Sequence, residues 1–362
     1  MGIRYDRDTR RATNGPVIFF SDASSAASLN EEIESAILSG LSFYSYCEPG
    51  SPMISFGSSE GFEYGVSKPG FIIGMFDPSS PIITIPYKGC KADPGLKSCY
   101  SQPLESTSYE TYCKEVEDFI AIIKETEKGK IVASRVLLRE NRTSPGELFF
   151  DLSTRFPDCF IFCFSTPATG CWIGASPEIL IKSNNGILTT MALAGTKENN
   201  EKVSWDEKNI EEQEIVKDYI LDSFRKAGMI PEAGDTYSRN VGKISHLCTP
   251  VSAAIPVSDN FSLEKFLKDL SPTPALCGFP KDLALKAILN VENFERGCYG
   301  GFCGPYHSLN DFSLNVVLRC ASLSERKICL YAGGGITAKS NPHSEWVETE
   351  NKLENTFGGI IS

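Results

Sequence analysis

Histidine is almost missing from this chain: His246, His307 and His343 are the only three in 362 residues. That scarcity argues against a multi-histidine metal centre. The thirteen cysteines are odd in number and form no C-x-x-C pair, and Cys159, Cys163, Cys320 and Cys329 lie inside apolar runs. Such usage fits buried free thiols in a reducing compartment better than a disulfide framework or a zinc site. No apolar run approaches the ~20 residues of a membrane span, and the opening MGIRYDRDTRRATNG is charged, with no signal-peptide core. Asp6 stands where N-myristoylation requires Ser or Thr. Positive charge is also short, 35 Lys and Arg against 46 Asp and Glu, for a net charge of -11. The basic residues are scattered, which speaks against nucleic acid or an anionic membrane as a partner. At 41% hydrophobic and 22% charged the chain can bury a sizeable core. The expectation is a soluble, cytoplasmic protein, monomeric or weakly homo-oligomeric.

What is present concentrates near the C-terminus, in ICLYAGGGITAKSNPHSEWVETENK, residues 328–352. Residues 328–332 are apolar and β-prone, and the run is expected to break on Gly333, Gly334 and Gly335. Asn341-Pro342 then suits a helix start, since Asn caps and Pro tolerates the first helical position. Glu345, Glu348 and Lys352 fall at i, i+3 and i+7, on one face of that helix. Glycines let backbone amides approach a ligand, and an acidic face opposite them suggests a divalent cation holding a small anion. The glycines match neither a G-x-G-x-x-G nor a P-loop pattern, so they do not indicate a nucleotide site.

Upstream, residues 16–88 read as short strands at 17–20, 43–47, 71–76 and 82–87 with one helix at about 29–38, and no catalytic constellation. Residues 89–103 read as a loop. Tyr112, Val116, Phe119, Ile120 and Ile123 recur at helical spacing, and Lys130 begins the strand KIVASRVLLRE. A lysine at a strand start is most often simply solvated. Further strands are expected at 159–164, 171–173, 179–181 and 187–193, and GASPE places Glu178 beside a turn-forming Pro177. A helix at 205–227 carries Glu207, Glu211, Glu212 and Glu214 near its start, more acid than a helix dipole needs. A β-like stretch at 241–250 carries His246. Helices at 261–270 and 282–289 flank SPTPALCGFP. RGCYGGFCGPY precedes a strand at 314–321 whose apolar run Arg319 interrupts; an arginine there needs an anionic partner.

Taken in order, KIVASR, GASPE, LAGT, KNIEEQ, HLCTP, SPTPALCGFP, RGCYGG, LRCA, AGGGI and EWVETENK resemble the motifs of the chorismate-utilising enzymes, the anthranilate, aminodeoxychorismate, isochorismate and salicylate synthase family. The resemblance covers roughly the C-terminal two thirds of the chain. It implies an α/β (α+β) fold, a single large domain of two stacked, mainly antiparallel sheets with helices outside. Residues 1–105 would form a mostly β N-terminal part of that fold and 106–362 the chorismate-binding catalytic core. By the same resemblance Glu212 and Glu348 would bind Mg²⁺, with Glu345 close by and acting through water, and the metal would hold the ring carboxylate of chorismate. Arg319 and Lys352 would grip substrate carboxylates. Tyr299, Gly195, Ala275 and Gly333 would line the pocket, with His246 in support.

Within this family, members that add ammonia carry an uncharged residue where Lys130 stands, whereas those that add water carry lysine as the general base. Lys130 therefore implies hydration at C2, with Glu178 protonating the departing C4 hydroxyl, and isochorismate as product. No glutamine amidotransferase subunit is then expected. Such a base must be neutral near pH 7, a pKa lowered by about three units or about 4 kcal/mol. Gln213 departs from the histidine common after the metal-binding glutamate, and Cys298 from a bulkier residue before Tyr299. Salicylate synthase, which shares the lysine and adds pyruvate elimination, is the first alternative. A non-catalytic chorismate-binding relative is the second, and the intact set of Lys130, Glu178, Glu212 and Glu348 argues against it.

Overall fold

In the run FIFCF at 160–164 every residue is apolar, so a strand made from it must have both faces covered. The computed structural model, which describes residues 23–92, 100–126, 129–198, 204–241, 244–256 and 261–361, gives this run that environment. Phe160, Phe162 and Phe164 enter one core, and Ile161 and Cys163 enter another on the opposite face. In chain order the elements begin with α1 (Ala23–Leu38), β1 (Ser42–Cys47), β2 (Ile54–Ser59), β3 (Glu63–Tyr64), β4 (Gly70–Gly74), β5 (Ile83–Pro86), α2 (Tyr109–Lys124) and β6 (Lys130–Glu140). They continue with α3 (Pro145–Arg155), β7 (Phe160–Thr166), β8 (Gly170–Ser176), β9 (Ile179–Asn184), β10 (Ile187–Glu198), α4 (Glu207–Lys226), β11 (Glu232–Ala233), β12 (Tyr237–Val241) and β13 (Ile244–Ala254). The remainder holds α5 (Leu263–Leu270), β14 (Gly278–Phe279), α6 (Lys281–Val291), β15 (Phe302–Ser308), β16 (Asp311–Val316), β17 (Cys320–Leu323), β18 (Lys327–Ile336) and α7 (Pro342–Ile361).

The strands form two antiparallel sheets, as the resemblance implied. One has eight strands in the order β14-β6-β18-β17-β8-β7-β1-β2, and the other ten, β11-β13-β10-β9-β16-β15-β4-β5-β3 with β12 on β13. Their inner faces meet in a core that joins Phe71, Ile73, Ile83 and Ile85 of the larger sheet to Phe160, Phe162, Phe164, Trp172 and Tyr331 of the smaller. Helices cover the outer faces. Leu353 and Phe357 of α7 and Leu148, Phe149 and Leu152 of α3 pack on the smaller sheet, while Val216, Ile220 and Phe224 of α4 and Phe266 and Leu267 of α5 pack on the larger. Local chemistry sets where the helices start: Ser108, Asp206 and Asn341 accept from the backbone N–H groups of Thr111, Asn209 and Ser344. Every described cysteine is free.

Three expectations change. Gly333, Gly334 and Gly335 do not end the strand, because β6 holds them in a ladder that runs unbroken to the Ile336–Ile131 pair; hydrogen bonds to a neighbour outweigh the poor strand propensity of glycine. The strand expected at 314–321 is two strands in different sheets, β16 and β17, since one straight strand cannot serve two stacked layers ~10 Å apart. Arg319 sits in the crossing between them, with φ +45°. A short strand, β12, precedes the expected one at 241–250 and forms a hairpin with it. The strand expected at 17–20 lies outside the described residues, as does part of the 89–103 loop.

A buried ion pair ties these parts together. Arg296 donates from Nε to Glu292 at 2.7 Å, and both side chains are nearly inaccessible, at 2% and 1%. Arg296 also donates to the carbonyls of Val132 and Leu276, at 2.6 and 3.0 Å. Glu292 accepts from the N–H and hydroxyl of Ser134, at 2.8 and 2.9 Å. Glu292→Ala would leave a desolvated guanidinium without its counterion and should cost about 3–5 kcal/mol. Urea unfolding followed by circular dichroism measures this, and a loss below about 1 kcal/mol would contradict the role given to the pair.

Candidate active site

The glycine run of β18 is the floor of the candidate site, and its missing side chains make the space. A Cβ on Gly333 would lie 2.9 Å from the Tyr299 hydroxyl, and one on Gly334 would lie 3.1 Å from Glu345 Oε2 and 3.6 Å from Glu348 Oε1. One on Gly335 would collide with Lys130 Cε. Tyr299, Lys130, Glu345 and Glu348 thus converge on three consecutive residues that carry no Cβ. They arrive from three elements: Lys130 is the first residue of β6, Glu345 and Glu348 lie on α7, and Tyr299 follows the turn opened by Arg296.

Two lysine–glutamate pairs occupy this patch. Lys130 Nζ donates to Glu212 Oε1, which α4 presents across the cleft, with the two side chains 26% and 29% exposed. Lys352 Nζ pairs with Glu348 Oε1 at 2.7 Å and donates to the Gly333 carbonyl at 2.7 Å. The two carboxylates that the resemblance assigned to metal therefore each carry an ammonium ion. Among the described residues no three acidic, histidine or cysteine side chains converge on one point. Hard carboxylate oxygens on two facing elements still suit Mg²⁺, which takes one or two carboxylates and fills its remaining positions with water and substrate oxygens.

A second group lies on the larger sheet. His246, on β13, shares a hydrogen bond of 3.0 Å between Nδ1 and the Gly195 carbonyl, at a bulge of β10 where Gly195 has φ +71°. Burial lowers its pKa; the Gly195 bond opposes this, Arg239 and Arg319 lower it further, and Glu212 raises it. Those influences link His246 to both halves of the cleft. Glu178 is half-buried in the turn from β8 to β9, and burial pushes its carboxyl up to about 7 while the charge of Arg239 acts in the opposite direction. Arg319 reaches the Cys159 thiol at 3.9 Å and lies 5.5 Å from the Phe156 ring centre. Ala275 is half-buried in the turn before β14 and joins the site through its loop, whose Cys277 carbonyl accepts from Val132 at 2.9 Å.

The structure thus gathers Lys130, Glu212, Glu345, Glu348, Lys352, Gly333 and Tyr299 around one floor and joins His246 to Gly195 on the larger sheet, while Glu178 lies in the turn from β8 to β9 and Arg319 in the crossing from β16 to β17. Sequence reading did not single out Arg239, one charged residue in the polar run YSRNV, which β12 sets across the hairpin from His246. Gln213 lies behind the site, where its amide donates to the Ala192 carbonyl at 3.2 Å and to the Thr249 hydroxyl at 2.7 Å, joining α4 to both strands beneath it.

Glu178 also makes stability depend on pH. Its carboxyl keeps a proton up to about pH 7 in the folded chain, whereas the ordinary value is 4.5. Stability should therefore fall as pH rises from about 4.5 to 7, since the unfolded state releases that proton first. Glu178→Gln, neutral throughout, should gain about 1–2 kcal/mol over the unsubstituted protein at pH 8, a figure discounted for partial exposure, and little at pH 5. Urea midpoints at both pH values test this, and equal differences at the two would refute it.

Comparisons with known proteins identify the family. The chorismate binding enzyme family matches residues 89–359. Isochorismate synthase MenF of Haemophilus influenzae is 27% identical over 265 residues, and the match covers 70% of this chain and 60% of that protein. Isochorismate synthase EntC of Escherichia coli is 29% identical over 272 residues, covering 70% and 68%. Among solved structures, the menaquinone-specific isochorismate synthase MenF of Escherichia coli superposes with a TM-score of 0.67 at 21% identity, over 94% of this chain and 83% of that one. That likeness carries the fold, and the chain spans 60% of the length of the Haemophilus relative. With the family match running from residue 89 to 359, across both sheets and every motif around the glycine floor, the chain belongs to the chorismate-binding enzymes.

Proposed function

We propose that the protein is an isochorismate synthase, which adds water at C2 of chorismate and expels the C4 hydroxyl. The observation that carries this reading is Lys130, whose amine enters the cleft beside Gly335 and Glu212 instead of pointing into solvent. A strand-start lysine with a merely solubilising role would have no reason to lie there. The acid that the resemblance sets against it is Glu178, whose carboxyl burial pushes up to about 7.

In the proposed reaction Lys130 must first part from Glu212. Its neutral amine then takes a proton from water as the water oxygen bonds to C2. The ring π electrons shift, the C4–O bond breaks, and Glu178 passes its proton to the departing oxygen, which leaves as water. Lys130 ends protonated and Glu178 ionised, and proton exchange with solvent resets both. Glu212 and Glu348 would hold Mg²⁺, with Glu345 near, and the bound ion would neutralise the ring carboxylate. Arg319 and Lys352 supply cations for substrate carboxylates, and Tyr299, Gly195, Ala275, Gly333 and His246 shape the pocket. Because water is the nucleophile, no glutamine amidotransferase subunit is required.

Lys130→Ala should lose at least ~10² to 10⁴ in kcat while still binding chorismate. Chromatography of products at matched folding tests it, and near-normal isochorismate formation by the variant would overturn the assignment. Salicylate plus pyruvate from the unsubstituted protein would favour a salicylate synthase. Glu348→Gln and Glu212→Gln should each lower Mg²⁺-dependent turnover by orders of magnitude, and EDTA should abolish it. Full activity in metal-free buffer would exclude these glutamates as ligands.

A further inference from the structure

Arg135, the last residue of the KIVASR motif, is a buried charge that grips a helix. It is 3% exposed and lies on β6 opposite Ala332 of β18. Its Nε donates to the Thr349 hydroxyl at 2.7 Å, and its guanidinium lies 3.8 Å from the Trp346 ring centre. Neither partner is a carboxylate, although burying a guanidinium is costly. The Thr349 hydroxyl is itself fully buried and donates to the Trp346 carbonyl at 2.7 Å, which leaves its oxygen free to accept from Arg135. Tyr109 and Tyr112 of α2 meet the Trp346 ring edge-on, at 5.5 and 5.7 Å between centres. The grip falls on the turns of α7 that carry the acids, since Trp346 follows Glu345 and Thr349 follows Glu348. Farther along, Leu353 and Phe357 hold the helix through apolar contacts, which have no preferred direction.

We propose that Arg135 is the positioning residue of the metal-holding helix: it fixes the roll of α7 about its own axis, so that Glu345 and Glu348 stay beside Gly334. The inference rests on those glutamates serving Mg²⁺ as in the reading above. At about 100° per residue, Glu348, Glu345, Thr349 and Trp346 follow one another around roughly 160° of the helix. The carboxylates and the gripped residues therefore occupy adjoining sectors and turn together. Side chains reach ~6 Å from a helix axis, so a roll of ~20° carries a carboxylate about 2 Å. That is about the length of an Mg–O bond, whereas ligands must hold their places within about 0.5 Å. A hydrogen bond and a stacked cation are both directional, and they resist a roll that apolar packing alone permits. The same strand begins with Lys130, so β6 sets the proposed base and the helix of the proposed metal ligands at a fixed spacing.

The test uses Mn²⁺, which takes the same oxygen ligands as Mg²⁺, and follows its binding to the full chain by the electron paramagnetic resonance signal of the free ion, with chorismate and without it. Arg135→Met keeps a long side chain and removes the donor and the charge. It should weaken Mn²⁺ binding about 10- to 100-fold, the range for residues that orient metal ligands. Thr349→Val removes the acceptor and should weaken binding too, and the double variant should be no worse than Arg135→Met, because one contact is lost only once. Phe357→Ala loosens the packing of α7 without touching the grip, and should keep Mn²⁺ affinity within about twofold. Unchanged affinity in Arg135→Met overturns the proposal, as does an equal loss in Phe357→Ala, or losses in Arg135→Met and Thr349→Val that simply add. Should Arg135→Met fold poorly, Thr349→Val carries the comparison with Phe357→Ala. If the unsubstituted protein binds no Mn²⁺ in either condition, the metal assignment fails and takes this inference with it. If it binds Mn²⁺ but forms no isochorismate, the functional reading alone fails, and the Mn²⁺ comparison still decides the part played by Arg135.

Discussion

The ion pair between Glu292 and Arg296 is the constraint on which the site depends. Neither charge reaches solvent, so each must be satisfied by protein atoms, and the atoms they use belong to three separate pieces of chain. Val132 and Ser134 fix the start of β6 and with it the strand that carries Lys130. Leu276 fixes the loop that runs into β14 and pairs with Lys130 through Phe279. Arg296 itself opens the turn to Tyr299, with Phe76 beneath its guanidinium at 4.3 Å. Neighbouring Glu115 accepts at Oε1 from the Asn293 N–H at 3.3 Å, and burial together with the charge of Glu292 pushes its carboxyl up to about 7. The network is polar, buried and densely bonded, an arrangement that fixes geometry more than it adds net stability.

Around the glycine floor the electrostatics are self-compensating. Glu212 and Glu348, the two carboxylates proposed to hold the metal, each have an ammonium on them, so neither stands there as a bare negative charge. The Glu348–Lys352 pair is about half exposed and adds little to stability. Its importance is positional, because α7 carries both partners along one face and sets them over the Gly333 carbonyl.

Much of this was legible in the sequence because it is local. The spacing of Glu345, Glu348 and Lys352 needs only a helix, and ordered motifs single out Lys130, Glu178 and Glu212 as candidates without coordinates. Missing from that reading were relations created by tertiary contact. Gly333, Gly334 and Gly335 look like a break until β6 is alongside. The run through Arg319 looks like one strand until two layers must be served. Glu292 and Arg296 stand four apart, but only burial makes their pairing obligatory, and α6 ends at Val291, before either of them. Arg239 comes opposite His246 only through the hairpin of β12 and β13.

The crossing at Arg319 ties affinity to architecture. Its backbone is the hinge point where the chain leaves one layer and enters the other, in a left-handed conformation that few non-glycine residues adopt. A residue anchored there registers the distance between the two sheets. Substitutions that thin or swell the aromatic filling between the layers, at Phe71 or Phe162 for instance, would move its guanidinium without touching the cleft. In the role proposed for Arg319, core packing becomes a dial on substrate affinity, and sequence drift deep in the interior could retune the enzyme while every group in the cleft stays the same.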